Sequence, residues 1–237
     1  MFDRDLKAVL DPFNILLTDR QYEQICVFTA LLIETNKVMN LTAITKPQEI
    51  AVKHMADSLS CYDKTYFPKG ASVLDLGTGA GFPGIPLAIL RPDLHVTFFD
   101  SLQKRLIFLK TVVSKIGISN AAFIHGRAED EAHRSEYREH FDVVTSRAVA
   151  RLNILVEWAL PYVRIGGVFA ALKGAQYEEE LTEASSAISI LGGTVIEIRP
   201  VHLIGMEDKR AVLYIKKDRT SPKKYPRKPK IAVNNPL

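Results

Sequence analysis

The chain has 237 residues, 47% of them hydrophobic and 24% charged, with a formal net charge of +4. That length is ample for a buried core in one large domain or two small ones, and the composition is ordinary for a soluble globular protein. No apolar run reaches the ~18 residues of a membrane span, and the opening MFDRDLKAVL lacks the basic start and apolar stretch of a signal peptide, so a soluble cytoplasmic protein is expected.

Residues 1–68 read as helical. Thr18-Asp19-Arg20-Gln21 matches a capping box, a hydroxyl at the N-cap with an amide three residues on. Tyr22, Ile25, Phe28, Thr29, Leu32 and Ile33 then recur at helical spacing and form one apolar face. The helix fades near 36–40, Asn40-Leu41-Thr42 reads as a turn, and Pro47 opens a second helix carrying Lys53, His54, Asp57 and Ser58. His54 and Asp57 are three apart and share a face. Either they bond each other and the backbone inside an N-terminal cap, or their face borders a ligand mouth and meets substrate. The two cysteines, Cys26 and Cys61, lie on apolar helical patterns without C-x-x-C spacing. Buried free thiols in a reducing compartment are expected.

From residue 71 onward strands and helices alternate. Strands are expected at 72–76, 95–99, 122–125, 141–146 and 168–172, with helices at 83–90, 101–117, 152–163 and 177–191 and a short polar one before residue 139. Ser101 is the expected cap of the second of these helices and Gly117 its stop. Segments 194–202 and 210–216 are strands whose link is too short for a helical crossover, so they should pair antiparallel. The result is an α/β fold: a Rossmann-like, mostly parallel sheet with one antiparallel strand and an N-terminal helical extension.

The most informative stretch is SVLDLGTGAGFPGIPLAIL, residues 72–90: strand, glycine turn, helix start. That order marks the nucleotide-cofactor corner of a doubly wound domain. Two registers fit. Gly79, Gly81 and Gly84 make G-x-G-x-x-G, the dinucleotide fingerprint, whereas Asp75, Gly77, Gly79 and Gly81 make D-x-G-x-G-x-G, the methyltransferase pattern. A carboxylate at the loop mouth would repel a pyrophosphate and attract the ammonium of a methionine moiety, so Asp75 and the terminal hairpin favour S-adenosylmethionine. Asp100, closing the second strand, is placed to accept hydrogen bonds from ribose hydroxyls under both registers. The backbone N–H groups at the helix start are expected to face any anionic ligand group.

Segment 216–230, KKDRTSPKKYPRKPK, holds eight basic residues and one acid, and its prolines forbid a regular helix. It is expected either to be a solvated mobile tail or an arm that meets nucleic-acid phosphates through Lys223, Lys224, Arg227 and Lys228, with Tyr225 stacking on a base. Lys173, ending the fifth strand, could meet phosphate at the carboxyl edge or merely be solvated. His95, His125, His133, His140 and His202 are scattered without ligand spacing, so no metal site is expected.

Several of these stretches together, LDLGTGAGFPGIP, the His-x-x-Asp-Ser-Leu core at 54–59, GRAE at 126–129, TSRAVA at 145–150 and KKYPRKP in the tail, resemble the ribosomal RNA small subunit methyltransferase G family over nearly the whole chain. The resemblance implies methyl transfer from S-adenosylmethionine to N7 of a guanine in the 530 loop of 16S rRNA. It implies that Gly77 and Phe82 contact the cofactor, Asp100 with Ser101 and Leu102 holds its ribose side, Ala128 and Glu129 border the adenine, and Arg147 closes the site. Asp75 and Gly79 complete the cofactor set. It assigns no catalytic base, and none is needed: guanine N7 has a lone pair and no proton, so the work is positioning. Arg147, His54, Asp57 and Lys173 are the positioning candidates. The expected partner is 16S rRNA or the small ribosomal subunit, met by a monomer. The organisation expected is helices at 1–68, a methyltransferase core at 69–217 and a basic mobile tail at 218–237. A dinucleotide-dependent oxidoreductase and a non-catalytic RNA-binding assembly factor are the competing readings.

Overall fold

The structure, a computed structural model, describes residues 2–237, with side chains from Leu6 onward. The sequence builds a seven-stranded sheet in the order β3-β2-β1-β4-β5-β7-β6. The strands are β1 (Ser72–Leu76), β2 (His95–Asp100), β3 (Ala121–His125), β4 (Phe141–Arg147), β5 (Val163–Lys173), β6 (Gly193–Pro200) and β7 (Ala211–Lys217). β1 to β5 pair in parallel, and β7 runs antiparallel to both β5 and β6, as the short 201–210 link requires. Chain order reverses between β1 and β4, and the crevice at their carboxyl ends is where an open α/β sheet takes a ligand.

Alternate residues of each strand go to opposite faces, and two apolar cores follow from that period of two. Val73, Val96, Phe98, Val143, Ala170 and Tyr214 belong to one core, and their neighbours Leu74, Phe99, Val144, Ala171, Leu213 and Ile215 to the other. The first core is covered by α1 (Phe2–Leu10), α2 (Asp19–Met39), the helical segment α3 (Pro47–Ile50) to α4 (Asp57–Leu59), α5 (Gly84–Leu90) and α6 (Gln103–Ile116). The N-terminal helices therefore complete one layer of the sheet. The short α7 (Ala128–Glu131) follows β3, and the second core is covered mainly by α8 (Leu152–Ala159) and α9 (Tyr177–Ile190).

The capping box forms: the Gln21 backbone N–H donates to Thr18 Oγ1 at 3.3 Å and the Thr18 N–H to Gln21 Oε1 at 2.9 Å. Ile25, Phe28, Thr29 and Leu32 are the buried face of α2, which Asn40 ends in a left-handed conformation at φ 49°. Three details depart from expectation. β5 starts at Val163, five residues before the expected 168, because Phe141 pairs with Val163 before a register shift lets Val143 meet Val168. Ser101 does not cap α6: Leu102 is the N-cap residue, and its N–H is held by Asp100 Oδ1 at 2.8 Å. Cys61 is buried and Cys26 only partly so, both as free thiols, and burial pushes the Cys61 thiol up.

The largest departure is the tail. Segment 218–237 is seated on the core rather than extended away from it. Glu157, buried in α8, accepts from the Arg227 backbone N–H at 2.7 Å, from its Nε at 2.9 Å and from its Nη2 at 2.7 Å. Arg138 donates to the carbonyls of Ser221 at 2.8 Å and Tyr225 at 3.0 Å, and His133 Nε2 donates to Pro226 O at 2.8 Å. Lys217, with no exposed surface, donates to Leu160 O at 2.7 Å and Ser221 Oγ at 2.6 Å. The prolines do forbid a helix up to residue 228, but Pro229 sits at the start of a short one, α10 (Pro229–Asn234), where its missing N–H costs nothing.

Candidate active site

Two adjoining cavities open at the carboxyl ends of β1, β2 and β4. The larger, about 380 Å³, is walled by Leu76, Gly77, Phe99, Asp100, Ser101, Ala128 and Glu129 with Val149, Trp158 and Val233. The smaller, about 200 Å³, is walled by Leu41, Thr42, His54, Gly77, Thr78, Gly79, Phe82 and Arg147. Gly77, Arg105 and Ala148 line both, so the two form one continuous trough.

The turn after β1 is held from behind. Gly77 and Thr78 donate their backbone N–H groups to Phe99 O at 3.0 and 2.9 Å, and Gly79 donates to Asp100 Oδ2 at 2.9 Å. The N–H groups of Gly81, Phe82 and Ile85 go to Thr78 O, Thr78 O and Gly81 O, and that of Gly84 to Asp75 Oδ2. These N–H groups are already bonded inside the protein and leave no row of donors for a pyrophosphate. That geometry removes the dinucleotide reading and corrects the expectation of anion-facing N–H groups at the helix start. Gly77 takes φ +72°, and a Cβ there would come within 2.5 Å of Val149 Cγ2, so the close approach and the left-handed backbone both require glycine.

Asp75 is corrected as well. It has no exposed surface, lines neither cavity, and accepts from Thr78 Oγ1 at 2.6 Å and Gly84 N at 2.8 Å. Burial pushes its carboxyl up to about 6. It braces the turn from inside the core. Asp100, by comparison, stands in the wall of the larger cavity. Its Oδ1 accepts from Leu102 N, and its Oδ2 accepts from Gly79 N at 2.9 Å and, more distantly, from Arg105 Nη1 at 3.3 Å. A carboxylate has about four acceptor positions, so capacity remains for a hydroxyl. Tyr162 donates its hydroxyl to Ala128 O at 2.7 Å and fixes the Ala128–Glu129 edge of the same cavity.

The smaller cavity is organised by Arg147 at the end of β4. Its Nη1 donates to Asp57 Oδ2 at 2.8 Å and Lys53 O at 2.9 Å, and its Nη2 meets His54 Nδ1 at 3.0 Å. The guanidinium lies 5.0 Å from the centre of the Phe82 ring, and the His54 ring stacks on Phe82 at 4.4 Å. A guanidinium only donates, so Nδ1 must be the acceptor nitrogen. Nε2 then carries the proton and donates to Thr42 Oγ1 at 2.8 Å. Burial, helped by the Arg147 charge, pulls His54 down to about 3 and keeps the ring neutral. His54 lies in a π-helical turn, Ala51–Ala56, inserted between α3 and α4; such turns recur at functional sites. Ala148, next to Arg147, adopts φ 55°, a conformation uncommon for a residue with a side chain and one found where a site over-determines the backbone.

Of the residues expected from sequence, Gly77, Gly79, Phe82, Asp100, Ser101, Ala128, Glu129, His54 and Arg147 line the trough. Asp57 supports it from behind through Arg147, and Leu102 takes part only through its N–H to Asp100. Lys173 does not belong to it: its ammonium is buried against Glu180 Oε2 at 2.5 Å and Ala150 O at 2.8 Å. Tyr225, 6% exposed, and Arg227, bound to Glu157, are committed to seating the tail, whereas Lys223, Lys224 and Lys228 are exposed. Sequence reasoning missed Thr42, Arg105, Ala148, Val149, Trp158, Pro229 and Val233. Ala148 and Val149 lie within TSRAVA and Pro229 ends KKYPRKP, but none was singled out within its stretch, and Arg105 is the third residue of the helix that follows Asp100.

A seven-stranded sheet with a reversed β7, a glycine turn without a phosphate cradle and an acidic residue ending β2 define a class: the Rossmann-like, S-adenosylmethionine-dependent methyltransferases. Solved structures share the fold. The pre-rRNA processing protein fibrillarin of Methanococcus jannaschii superposes with a TM-score of 0.53 at 17% identity, covering 69% of this chain and 74% of that one. A predicted O-methyltransferase of Agrobacterium tumefaciens gives 0.51 at 21%, covering 65% and 77%. The family model described as rRNA small subunit methyltransferase G matches residues 21–207. Curated relatives named ribosomal RNA small subunit methyltransferase G are 46% identical in Clostridium beijerinckii, over 96% of this chain and 95% of that protein, and 46% identical in Desulforamulus reducens, over 98% and 97%. The chain belongs to the rRNA small subunit methyltransferase G family.

Proposed function

We propose that this protein methylates N7 of a guanine in the 530 loop of 16S rRNA. The adenosine part of S-adenosylmethionine occupies the larger cavity, and the methionine end and the acceptor base meet in the smaller one. The residues fit the cofactor. Asp100 has acceptor capacity for a ribose hydroxyl, Ala128 and Glu129 give an edge for the base, and the backbones of Gly77 and Gly79 carry no Cβ to obstruct the floor. When bound, the cofactor supplies an electrophilic methyl group on a sulfonium.

The observation that carries the choice of acceptor is the state of His54. It is the histidine in the trough wall, and both its nitrogens are engaged, one accepting from Arg147 and one donating to Thr42. Held neutral well below its ordinary range, it is not free to take a proton from substrate. An amino or hydroxyl acceptor must lose a proton, whereas guanine N7 has none to lose. The chain's contribution is then orientation and exclusion of water. Arg147, with three of its five N–H groups committed, has donors left for an acceptor atom such as guanine O6. Phe82 and His54 form a stacked pair that fixes the Arg147 plane.

Lys223, Lys224, Lys228 and Lys230 are exposed, which supports their meeting RNA phosphate in this reading. The working unit in this reading is a single chain. An rRNA substrate places the reaction in the cytoplasm, and no described helix is long and apolar enough to cross a membrane. The test is a map of N7-methylguanine in small-subunit rRNA, by reduction and aniline cleavage, from cells lacking the gene and complemented with wild type or Arg147→Ala. Loss of one 530-loop site and its return only with wild type is the expected result; an unchanged map overturns the reading.

A further inference from the structure

Part of the wall of the larger cavity comes from the segment expected to be mobile. Pro229 and Val233 line it together with Trp158 of α8 and Val149 after β4. Positions 229 and 233 are four apart on α10 and share one face. Both valines that reach the cavity are unusually open for apolar side chains, Val149 at 36% and Val233 at 49% exposed. Each therefore has apolar surface left to cover.

The seating of this wall rests on several hydrogen bonds. Just before Pro229, the buried Glu157 takes three hydrogen bonds from Arg227, and Arg138 and His133 clamp the carbonyls of Ser221, Tyr225 and Pro226. Glu157 and Trp158 are adjacent in sequence. The anchor of the strap and the floor of the wall are therefore set by the same turn of α8. A strap held only for stability would not need its next apolar face turned into a ligand cavity.

We infer that the C-terminal strap is part of the cofactor site: Val233 and Pro229, with Trp158 and Val149, form an apolar wall that covers the flat face of the adenine base and sets affinity for the adenosine moiety. This rests on the placement of adenosine in the larger cavity. The wall recognises shape and apolar surface, while Asp100 and Glu129 supply polar groups to the same cavity. Removal of apolar cover is therefore felt by any ligand that carries the base, with or without an amino-acid part.

The experiment measures dissociation constants of S-adenosylhomocysteine and 5′-methylthioadenosine by calorimetry, on full-length wild type, Val233→Asp and Ile231→Asp. Ile231 is on the same helix and 51% exposed but lines neither cavity. Both ligands should bind Val233→Asp weaker by about the same factor, roughly tenfold or more, and bind Ile231→Asp as they bind wild type. Because both side chains are half exposed, the unliganded melting temperatures should match. Wild-type affinity in Val233→Asp overturns the inference. So does a loss confined to S-adenosylhomocysteine, which would put the contact at the amino-acid end. An Asp100→Ala variant that loses affinity while Val233→Asp does not leaves the cofactor site standing and removes the strap from it. A wild type that binds neither ligand overturns the cofactor placement, and the inference with it.

Discussion

Arg147 and Asp57 meet at 2.8 Å across 90 residues of sequence, and this ion pair joins the N-terminal helices to the end of β4. Asp57 also receives Arg210 Nη1 at 3.4 Å, so one nearly buried carboxylate orients two guanidiniums from different strand ends. Asp57→Asn keeps the shape but removes the charge. Transfer to small-subunit rRNA should fall on the order of 10²-fold, chiefly in kcat, because a displaced Arg147 misaligns the acceptor. Asp57→Ala should in addition lower stability by about 3 kcal/mol by leaving the guanidiniums unpaired. Equal kinetics for Asp57→Asn and wild type would remove the pair from the site.

His54 gives a pH prediction with a definite sign. Its pKa is lowered in the folded protein from 6.5 to about 3, because burial and Arg147 oppose its charge. Between those two values the unfolded chain binds the proton and the folded one does not. Stability is therefore full above pH 6.5 and lost as pH falls through the window, at up to about 1.4 kcal/mol per pH unit. His54→Gln should flatten that part of the curve, as measured by urea unfolding between pH 4 and pH 7. The same slope in both proteins would mean that His54 is protonated in the folded state.

Asp75 and Asp100 should separate cleanly. Asp75→Ala strands the Thr78 hydroxyl and the Gly84 N–H in a site without solvent, and should cost about 2–4 kcal/mol of stability. Asp100→Ala should lower S-adenosylhomocysteine affinity with a smaller effect on melting. The reverse pattern would exchange the two assignments.

Replacing Lys223, Lys224, Lys228 and Lys230 together by Gln should weaken RNA binding and make log Kd less steep against log salt by about 0.7 for each phosphate that is no longer neutralised. Filter binding at several salt concentrations reads this directly. Tyr225→Phe, by comparison, should leave RNA affinity unchanged, since the ring is packed in the tail's seat.

The fold was largely legible because its signals are local. Strand and helix periodicity, the Thr18–Gln21 box and the short link before β7 each depend on residues within a few positions of one another. Within the site, the identities of Gly77, Phe82, Asp100 and Arg147 were legible from motifs, but their partners were not. Asp75 read as a carboxylate at a mouth; only the path of the turn shows that it faces Gly84. Lys173 read as a free strand-end cation; only α9 brings Glu180 against it. The tail read as solvated because charge runs usually are, and nothing within residues 216–230 announces that Glu157, 70 positions earlier than Arg227, waits for it.

The π-helical turn has a consequence for what the segment from Pro47 to Leu59 can tolerate. It holds one more residue per turn than an α-helix would, and Asp57 N reaches back to Val52 O. A deletion of a single residue there would let the helix relax into the ordinary pitch, with the flanking residues kept near their present facing and the residues of the turn itself re-aimed. His54, which lies inside the turn, could then no longer reach both Thr42 and Arg147, even with every side chain kept. This stretch should accept changes of identity far more readily than any change of length.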